Sequence, residues 1–288
     1  MWRTVMRIGI FAKSIPRPTL VETCMAVRAL GCDTVQFNLS CVGLPTLPIA
    51  LDTAMCDQIR TAHHHAGVTM AALSATGNII HPDATQRQQV HDGIHTLIAA
   101  APLLGCRVLT ISTGTCHPHD MWQAHPDNAT PASWQRLLDA LTRLLPWAEA
   151  HGVIVAFEPE QGNVVRTAAQ ARVLLDTVAS PALGVVLDVA NLLNASTIPH
   201  QHAMIDEAMT LLAGDIALVH AKELPVPPYT GACAPGQGVV DFAYLASALR
   251  RINYHGAVIM HGMDEVATPH GLAHLRGVWG TGVGNYTT

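Results

Sequence analysis

Short runs of apolar residues, many of them β-branched, alternate along the chain with longer segments in which apolar residues recur at helical spacing. Eight such pairs follow one another. The pattern predicts strands at 5–11, 33–39, 68–75, 107–114, 153–160, 183–191, 216–224 and 257–262. It predicts helices at 19–31, 52–67, 84–105, 131–152, 167–180, 202–214, 241–256 and 271–280. The predicted strands are nearly continuously apolar, which is typical of parallel strands covered on both faces.

The ends of several predicted helices carry capping signals. The first helix opens with Thr19 and Glu22 in the spacing of a capping box. The three helices that follow each stop at a glycine, which favours a left-handed C-terminal cap; these are Gly67, Gly105 and Gly152. The helix boundaries are therefore supported by capping residues as well as by the helical spacing of apolar residues.

Eight strand–helix pairs without a strong linker predict an α/β protein with one (β/α)8 barrel domain over residues 1–288. The length and the hydrophobic content of 49% are sufficient for one large core. A doubly wound open sheet is the alternative. The turn after the first strand, GIFAKSIPRPTL, lacks the G-x-G-x-x-G pattern of dinucleotide-binding folds, so the barrel is preferred.

The charge balance and the longest apolar runs exclude some partners. The net charge is -5, only 13% of residues are charged, and no basic run occurs, so nucleic acid is not an expected partner. No apolar run approaches the roughly 20 residues of a membrane span, and the N-terminal sequence lacks a signal-peptide pattern. We expect a soluble, cytoplasmic protein. Seven scattered cysteines without a C-x-x-C pair favour reduced thiols.

Candidate ligand residues stand at the ends of four neighbouring predicted strands. They are Glu158, Asp188, His220 and His261, the last closing the segment GAVIMHG. In a (β/α)8 barrel the C-terminal strand ends surround one site, so these side chains are expected to converge. Singly, each has an ordinary structural explanation, such as an ion pair or a hydrogen-bonded core histidine. Together they predict a site for one divalent metal ion, with Mn, Zn, Co and Mg all compatible.

Other polar residues follow predicted strands and are expected near the same mouth. Lys222 and Glu223 come directly after His220 and are catalytic candidates, since a lysine there can stabilise an enolate oxygen. A Lys–Glu pair on the barrel rim is the alternative. Loops after the third and fourth strands supply further candidates for substrate contact, namely Asn78, His81 and His117.

The second half of the chain resembles a known family in order and spacing. The segments that carry the resemblance are AFEPE, LDVAN, VHAKEL and PGQGVVDFAYLASALRRINYHGAV. They resemble the sugar phosphate isomerase/epimerase family, xylose-isomerase-like TIM barrels that include ketose 3-epimerases and inosose dehydratases. The resemblance implies that Glu158, Asp188 and His220 are three of four metal ligands. It also implies a substrate hydrogen bond from Asn191, where the family often has histidine.

The fourth family ligand is usually a glutamate, and this sequence has His261 in its place. The resemblance implies that epimerases use their two ligand glutamates on opposite faces of the substrate carbon. A metal-bound imidazole has little basicity left, so only Glu158 remains as a base. One-base isomerisation or β-elimination of water then becomes the expectation. Glu160, Glu223 and Glu265 lie close enough in sequence to supply a second carboxyl group.

Several functions remain open at this level. The preferred one is a metal-dependent isomerase or epimerase acting on a small sugar, sugar phosphate or cyclitol. The alternatives are a dehydratase of a related polyol ketone, a metal phosphodiesterase like endonuclease IV, and a non-catalytic barrel that binds sugar or metal. A basic DNA-binding face is not expected at a net charge of -5. Four tryptophans on predicted outer elements suggest a homo-oligomer surface or, more commonly, core; they are Trp122, Trp134, Trp147 and Trp279.

Overall fold

The computed structural model describes residues 6–228 and 231–280. Their strands form one closed parallel barrel in which each strand pairs with its neighbours along the chain and the last pairs with the first. The predicted (β/α)8 architecture is confirmed. Val5, which begins the first predicted strand, lies outside the described residues, as do the two ends of the predicted 1–288 domain.

The elements alternate regularly. The strands are β1 (Arg7–Phe11), β2 (Thr34–Phe37), β3 (Thr69–Ser74), β4 (Val108–Ser112), β5 (Ile154–Glu158), β6 (Leu183–Asp188), β7 (Ile216–Ala221) and β8 (Ala257–Met260). The helices are α1 (Leu20–Ala29), α2 (Thr53–Ala66), α3 (Ala84–Ala100), α4 (Pro131–His151), α5 (Ala168–Val178), α6 (Val189–Leu192), α7 (Gln201–Leu212), α8 (Phe242–Arg251) and α9 (Thr268–Trp279). None of the helices in this part of the chain is both long and apolar enough to cross a membrane.

Local sequence determines most helix ends. At the start of α1, the Thr19 hydroxyl accepts the Glu22 N–H while the Glu22 carboxylate accepts the Thr19 N–H, which is the predicted capping box. Gly67 and Gly152 end α2 and α4 in the left-handed conformation, where a side chain would be strained. These caps satisfy helix-end groups that would otherwise lack partners.

Several predicted boundaries are wrong, and three of them have a clear local cause. The third helix ends at Ala100 instead of 105, and Pro102 soon follows, which has no N–H for a helical bond. The eighth helix ends at Arg251 instead of 256, because Asn253 adopts a left-handed φ of 54°. The sixth strand ends at Asp188, whose side chain caps the short helix α6.

Two apolar clusters make up the core. The larger lies between the helices and the outer faces of the strands. The smaller contains strand residues alone and fills the inside of the barrel; its members are Phe11, Ala72, Ala156, Val186, Leu218, Ala257 and Ile259. Successive strand side chains point to opposite faces, so a residue two positions after an inner one also points inward. The inner cluster therefore forms a floor for whatever lies at the C-terminal strand ends.

The contact between β1 and β2 leaves no room at Gly9. A Cβ atom there would overlap the main-chain oxygen of Thr34. We expect Gly9→Ala to lower the free energy of unfolding by about 3 kcal/mol or more, because the strands must move apart to accept it. Denaturant unfolding measures this. Gly214→Ala is the matched control, since a Cβ atom at Gly214 meets nothing within 4 Å; an equal loss in both variants would contradict the expectation.

Candidate metal centre

The structure brings the four candidate ligand residues together. Glu158 and Asp188 are the last residues of β5 and β6, His220 is the next-to-last residue of β7, and His261 directly follows β8. Each offers one ligand atom, and these atoms all lie within 4.8 Å of one another. Each residue also stands two positions after a member of the inner apolar cluster. Strand alternation alone therefore points all four side chains inward, in one layer above the apolar floor.

Short contacts link the four side chains in pairs. The His220 Nδ1 atom lies 3.3 Å from the Glu158 Oε1 atom. The His261 Nε2 atom lies 3.1 Å from the Asp188 Oδ2 atom, and the two imidazole rings are 4.5 Å apart between centroids. The other Asp188 oxygen, Oδ1, accepts the main-chain N–H of Ala190 at 3.0 Å. Each carboxylate is thus held in one orientation.

Polar side chains other than the four candidate ligands support this layer. Asn191 donates from Nδ2 to Glu158 Oε1 at 2.7 Å, and Lys222 donates from Nζ to Asn191 Oδ1 at 2.7 Å. His220 Nε2 lies 2.7 Å from Gln36 Oε1. The candidate ligands are therefore fixed by a second set of hydrogen bonds.

The turn after His261 depends on a glycine. Gly262 has a φ of 79°, a conformation that favours glycine. A Cβ atom there would lie 3.4 Å from the Lys222 Cγ atom. The turn therefore packs the main chain at Gly262 against Lys222, whose ammonium group donates a hydrogen bond to Asn191.

Mutual attraction governs the ionisation of this cluster. Burial raises the pKa of the Glu158 carboxyl, but the nearby His220 and His261 outweigh burial and lower that pKa to about 2. Burial lowers the pKa of His220, but the Glu158 and Asp188 carboxylates outweigh it and raise the pKa. Burial raises the pKa of Glu160, and the neighbouring carboxylates raise it further. The electrostatic environment of these carboxylates therefore favours a positive charge beside them.

A cavity of about 610 Å³ opens above the four residues. Its size is in the ordinary range for a small-molecule site. Apolar groups and charged groups share its wall; the former are Phe11, Ile111, Trp122 and Met263, and the latter Lys13, Glu160, Lys222 and Asp264. Glu160, Lys222 and Asn191, all candidates from the sequence, face this cavity. Trp122, which the sequence analysis assigned to an outer element, also lines it.

The structure does not place Glu223 in the cavity. Its carboxylate is buried and accepts the main-chain N–H groups of Leu224, Gly236 and Val240 at 2.9 to 3.0 Å. It points away from the site because it is three positions after His220, whereas Lys222 is two positions after it. Its position supports a structural role in the loop after β7 instead of the catalytic role expected from the sequence.

The three candidates from the loops after β3 and β4 also lie outside the cavity lining. Asn78 forms hydrogen bonds with both the main-chain N–H and C=O groups of Thr115. His81 Nε2 lies 3.2 Å from the Pro118 carbonyl oxygen, and His117 Nδ1 accepts main-chain N–H groups of its own loop. Asn78 and His81 join the two loops, and His117 orders its own loop, so the three positions do not support the substrate contacts expected from the sequence.

Sequence reasoning missed two buried polar residues inside the barrel, Gln36 and Thr110. Gln36 stands between the buried apolar residues Val35 and Phe37 and is 2% exposed. Polar residues are uncommon at such positions unless they have a partner. A polar residue between two apolar residues of a predicted buried strand was therefore the signal in the sequence that could have identified Gln36.

Several solved structures share the fold. The 3-keto-D-glucoside 4-epimerase of E. coli is 18% identical, with 94% of this chain and 99% of that chain covered and a TM-score of 0.75. The D-psicose 3-epimerase of Clostridium cellulolyticum H10, solved with D-tagatose, is 17% identical, with 96% and 100% covered and a TM-score of 0.71. The IOLI protein, solved with a zinc atom, is 19% identical, with 95% and 96% covered and a TM-score of 0.70.

Comparison of the sequence with curated proteins gives no significant match. A family model described as xylose isomerase-like TIM barrel matches residues 24–278. The match includes strands β2 to β8 and all four candidate ligands. It confirms the resemblance seen in the sequence. The chain belongs to the xylose isomerase-like TIM barrel family.

Proposed function

We propose that this protein is a divalent-metal-dependent enzyme of the isomerase/epimerase type that acts on a small sugar, sugar phosphate or cyclitol. The observation that carries this proposal is the convergence of Glu158, Asp188, His220 and His261 below the cavity, with ligand atoms within 4.8 Å of one another. The epimerases with the same fold support the choice of substrate class.

The four side chains fit a divalent ion by charge and by donor type. Two carboxylates held close together in a buried site repel one another unless positive charge lies between them. Their summed charge of about -2 balances a divalent cation when both imidazoles are neutral. Imidazole nitrogen and carboxylate oxygen together are compatible with Zn, Mn or Co, and carboxylates also suit Mg. A bound ion of this kind supplies a Lewis acid for a substrate carbonyl.

The remaining chemistry belongs to the side chains. Glu158 Oε1 accepts a hydrogen bond from Asn191 Nδ2, and we assign the proton transfer to this carboxylate. It takes a proton from the carbon next to the carbonyl group and returns it to the former carbonyl carbon. A hydroxyl proton of the substrate passes to the neighbouring oxygen, which completes the exchange between aldose and ketose.

We assign to Lys222 the stabilisation of the negative charge that develops on a substrate oxygen. Its ammonium group donates one hydrogen bond to Asn191 and has two N–H groups left. Because Lys222 lines the cavity, these groups can reach a substrate oxygen that gains negative charge. Asn191 therefore links the proposed base, Glu158, to the ammonium group of Lys222, since its amide contacts both side chains.

The position of Glu160 favours a second candidate, dehydration by β-elimination. Glu160 lines the same cavity as Glu158 and stands two positions farther along the chain. Loss of water needs one group to remove a proton and another to protonate the departing hydroxyl group. We assign the protonation of the departing hydroxyl group to the carboxyl group of Glu160.

Product analysis separates the two reactions, because an isomer has the mass of its substrate and a dehydration product is one water lighter.

We expect the purified protein to bind about one divalent ion per chain, with a dissociation constant that rises at least about 100-fold in Asp188→Asn and His261→Ala. Each substitution removes one of four ligands. Chelator competition with zinc and manganese measures the constant. His119→Ala is the control, since His119 is exposed and outside the cluster. Wild-type protein that binds neither ion would sink the proposed function.

We expect Glu158→Gln to lower the exchange of substrate protons with solvent at least about 100-fold, because an amide is not a base. Mass spectrometry in D2O, over a panel of aldoses, ketoses and inososes, measures this exchange. Glu223→Gln keeps exchange within about threefold of wild type but lowers the free energy of unfolding by about 1 to 3 kcal/mol, since it weakens buried hydrogen bonds. Loss of exchange in Glu223→Gln alone would restore the catalytic role expected from the sequence.

A further inference from the structure

A buried glutamine on the far side of the barrel contacts one of the candidate ligands. Gln36 lies in β2 and is 2% exposed, while His220 lies in β7 and is 4% exposed. The Gln36 Oε1 atom is 2.7 Å from the His220 Nε2 atom. The contact spans the inside of the barrel, since β2 and β7 do not pair. Such a bond is not needed to close the sheet.

The bond determines which nitrogen of His220 carries a proton. A carbonyl oxygen only accepts, so His220 Nε2 must be the donor. In a neutral imidazole the other nitrogen, Nδ1, then keeps its lone pair. Nδ1 is the atom that faces Glu158, at 3.3 Å, and therefore the atom that faces the cluster.

The amide of Gln36 is itself held in place. Its Nε2 atom donates to the Thr110 hydroxyl at 3.1 Å, and Thr110 is 3% exposed in β4. The amide thus lies between two polar partners inside the barrel. An unpaired amide there would cost about 1 to 3 kcal/mol, so these two contacts restrict its orientation.

We propose that Gln36 is a positioning residue, which keeps the proton of His220 on Nε2 and so presents Nδ1 to a divalent ion. This inference rests on the proposed metal-dependent function. Without Gln36, His220 has a competing arrangement in which an Nδ1–H donates to Glu158 and both groups are lost as ligands. Metal-binding histidines commonly donate their second N–H to an oxygen, which fixes the ring and its tautomer.

The neutrality of this partner also matters. A carboxylate at position 36 would add a third buried negative charge beside Glu158 and Asp188, whereas an amide provides the same acceptor without charge. The glutamine therefore orients His220 while the charge of the ligand set stays near that of one divalent ion.

The test compares three variants by zinc affinity and by the tautomer of His220. Gln36→Met keeps the length of the side chain and removes the acceptor, so we expect zinc binding to weaken about 10- to 100-fold. Gln36→Glu keeps an acceptor oxygen, and its added negative charge attracts a cation, so we expect zinc affinity at least equal to that of wild type. The cost of the third buried negative charge then falls on the metal-free protein, whose free energy of unfolding is expected to decrease. Thr34→Val is the control, because it removes a buried hydrogen bond from the same strand without touching His220. It should leave zinc affinity unchanged.

Long-range proton–nitrogen NMR of His220 in wild-type protein provides a readout that does not need a variant to fold. We expect the proton on Nε2 in the zinc-loaded protein. A proton on Nδ1, or zinc affinity unchanged in folded Gln36→Met, would overturn the role of Gln36 while leaving the metal site intact. If wild-type protein binds neither zinc nor manganese, the proposed function fails. The tautomer is then measured at alkaline pH, where the imidazole is neutral, and a proton on Nδ1 would still overturn the role of Gln36.

Discussion

Closure of eight parallel strands into a barrel forces inward side chains into layers, and the rest of the site depends on that constraint. The lower layer is apolar and fills the barrel. The layer above it contains Glu158, Asp188, His220 and His261 because each stands two positions farther along its strand. A one-residue slip in any of these strands would turn its ligand toward the helices.

Burial of opposite charges in this layer explains why the site needs a second set of contacts. Two carboxylates and two imidazoles are costly to bury, and the cost is met only if orientations and protonation states agree. Asn191 fixes one oxygen of Glu158, Ala190 fixes one oxygen of Asp188, and Gln36 fixes one nitrogen of His220. Two of these contacts come from α6, directly after β6, and the third comes from β2 across the barrel, so distant parts of the barrel together determine the chemistry of the layer.

The sequence was sufficient for the barrel and for the convergence of the ligands, because strand order and the direction of parallel strands follow from local patterns. It was insufficient for Glu223, since the predicted seventh strand ran to 224 and the direction of its last side chains depends on where pairing stops. It was also insufficient for Asn78 and for Gln36, whose partners are 37 and 184 residues away along the chain. Contacts of that separation exist only after the loops and barrel have formed.

The glycine after His261 has a consequence for which sequences this site accepts. Gly262 supplies a left-handed turn beside Lys222, whose ammonium group orients Asn191 and, through it, Glu158. Positions 262, 222, 191 and 158 therefore cannot vary independently, although they lie on four different strand ends. Libraries that diversify the mouth of this barrel should treat them as one block, changed together or not at all.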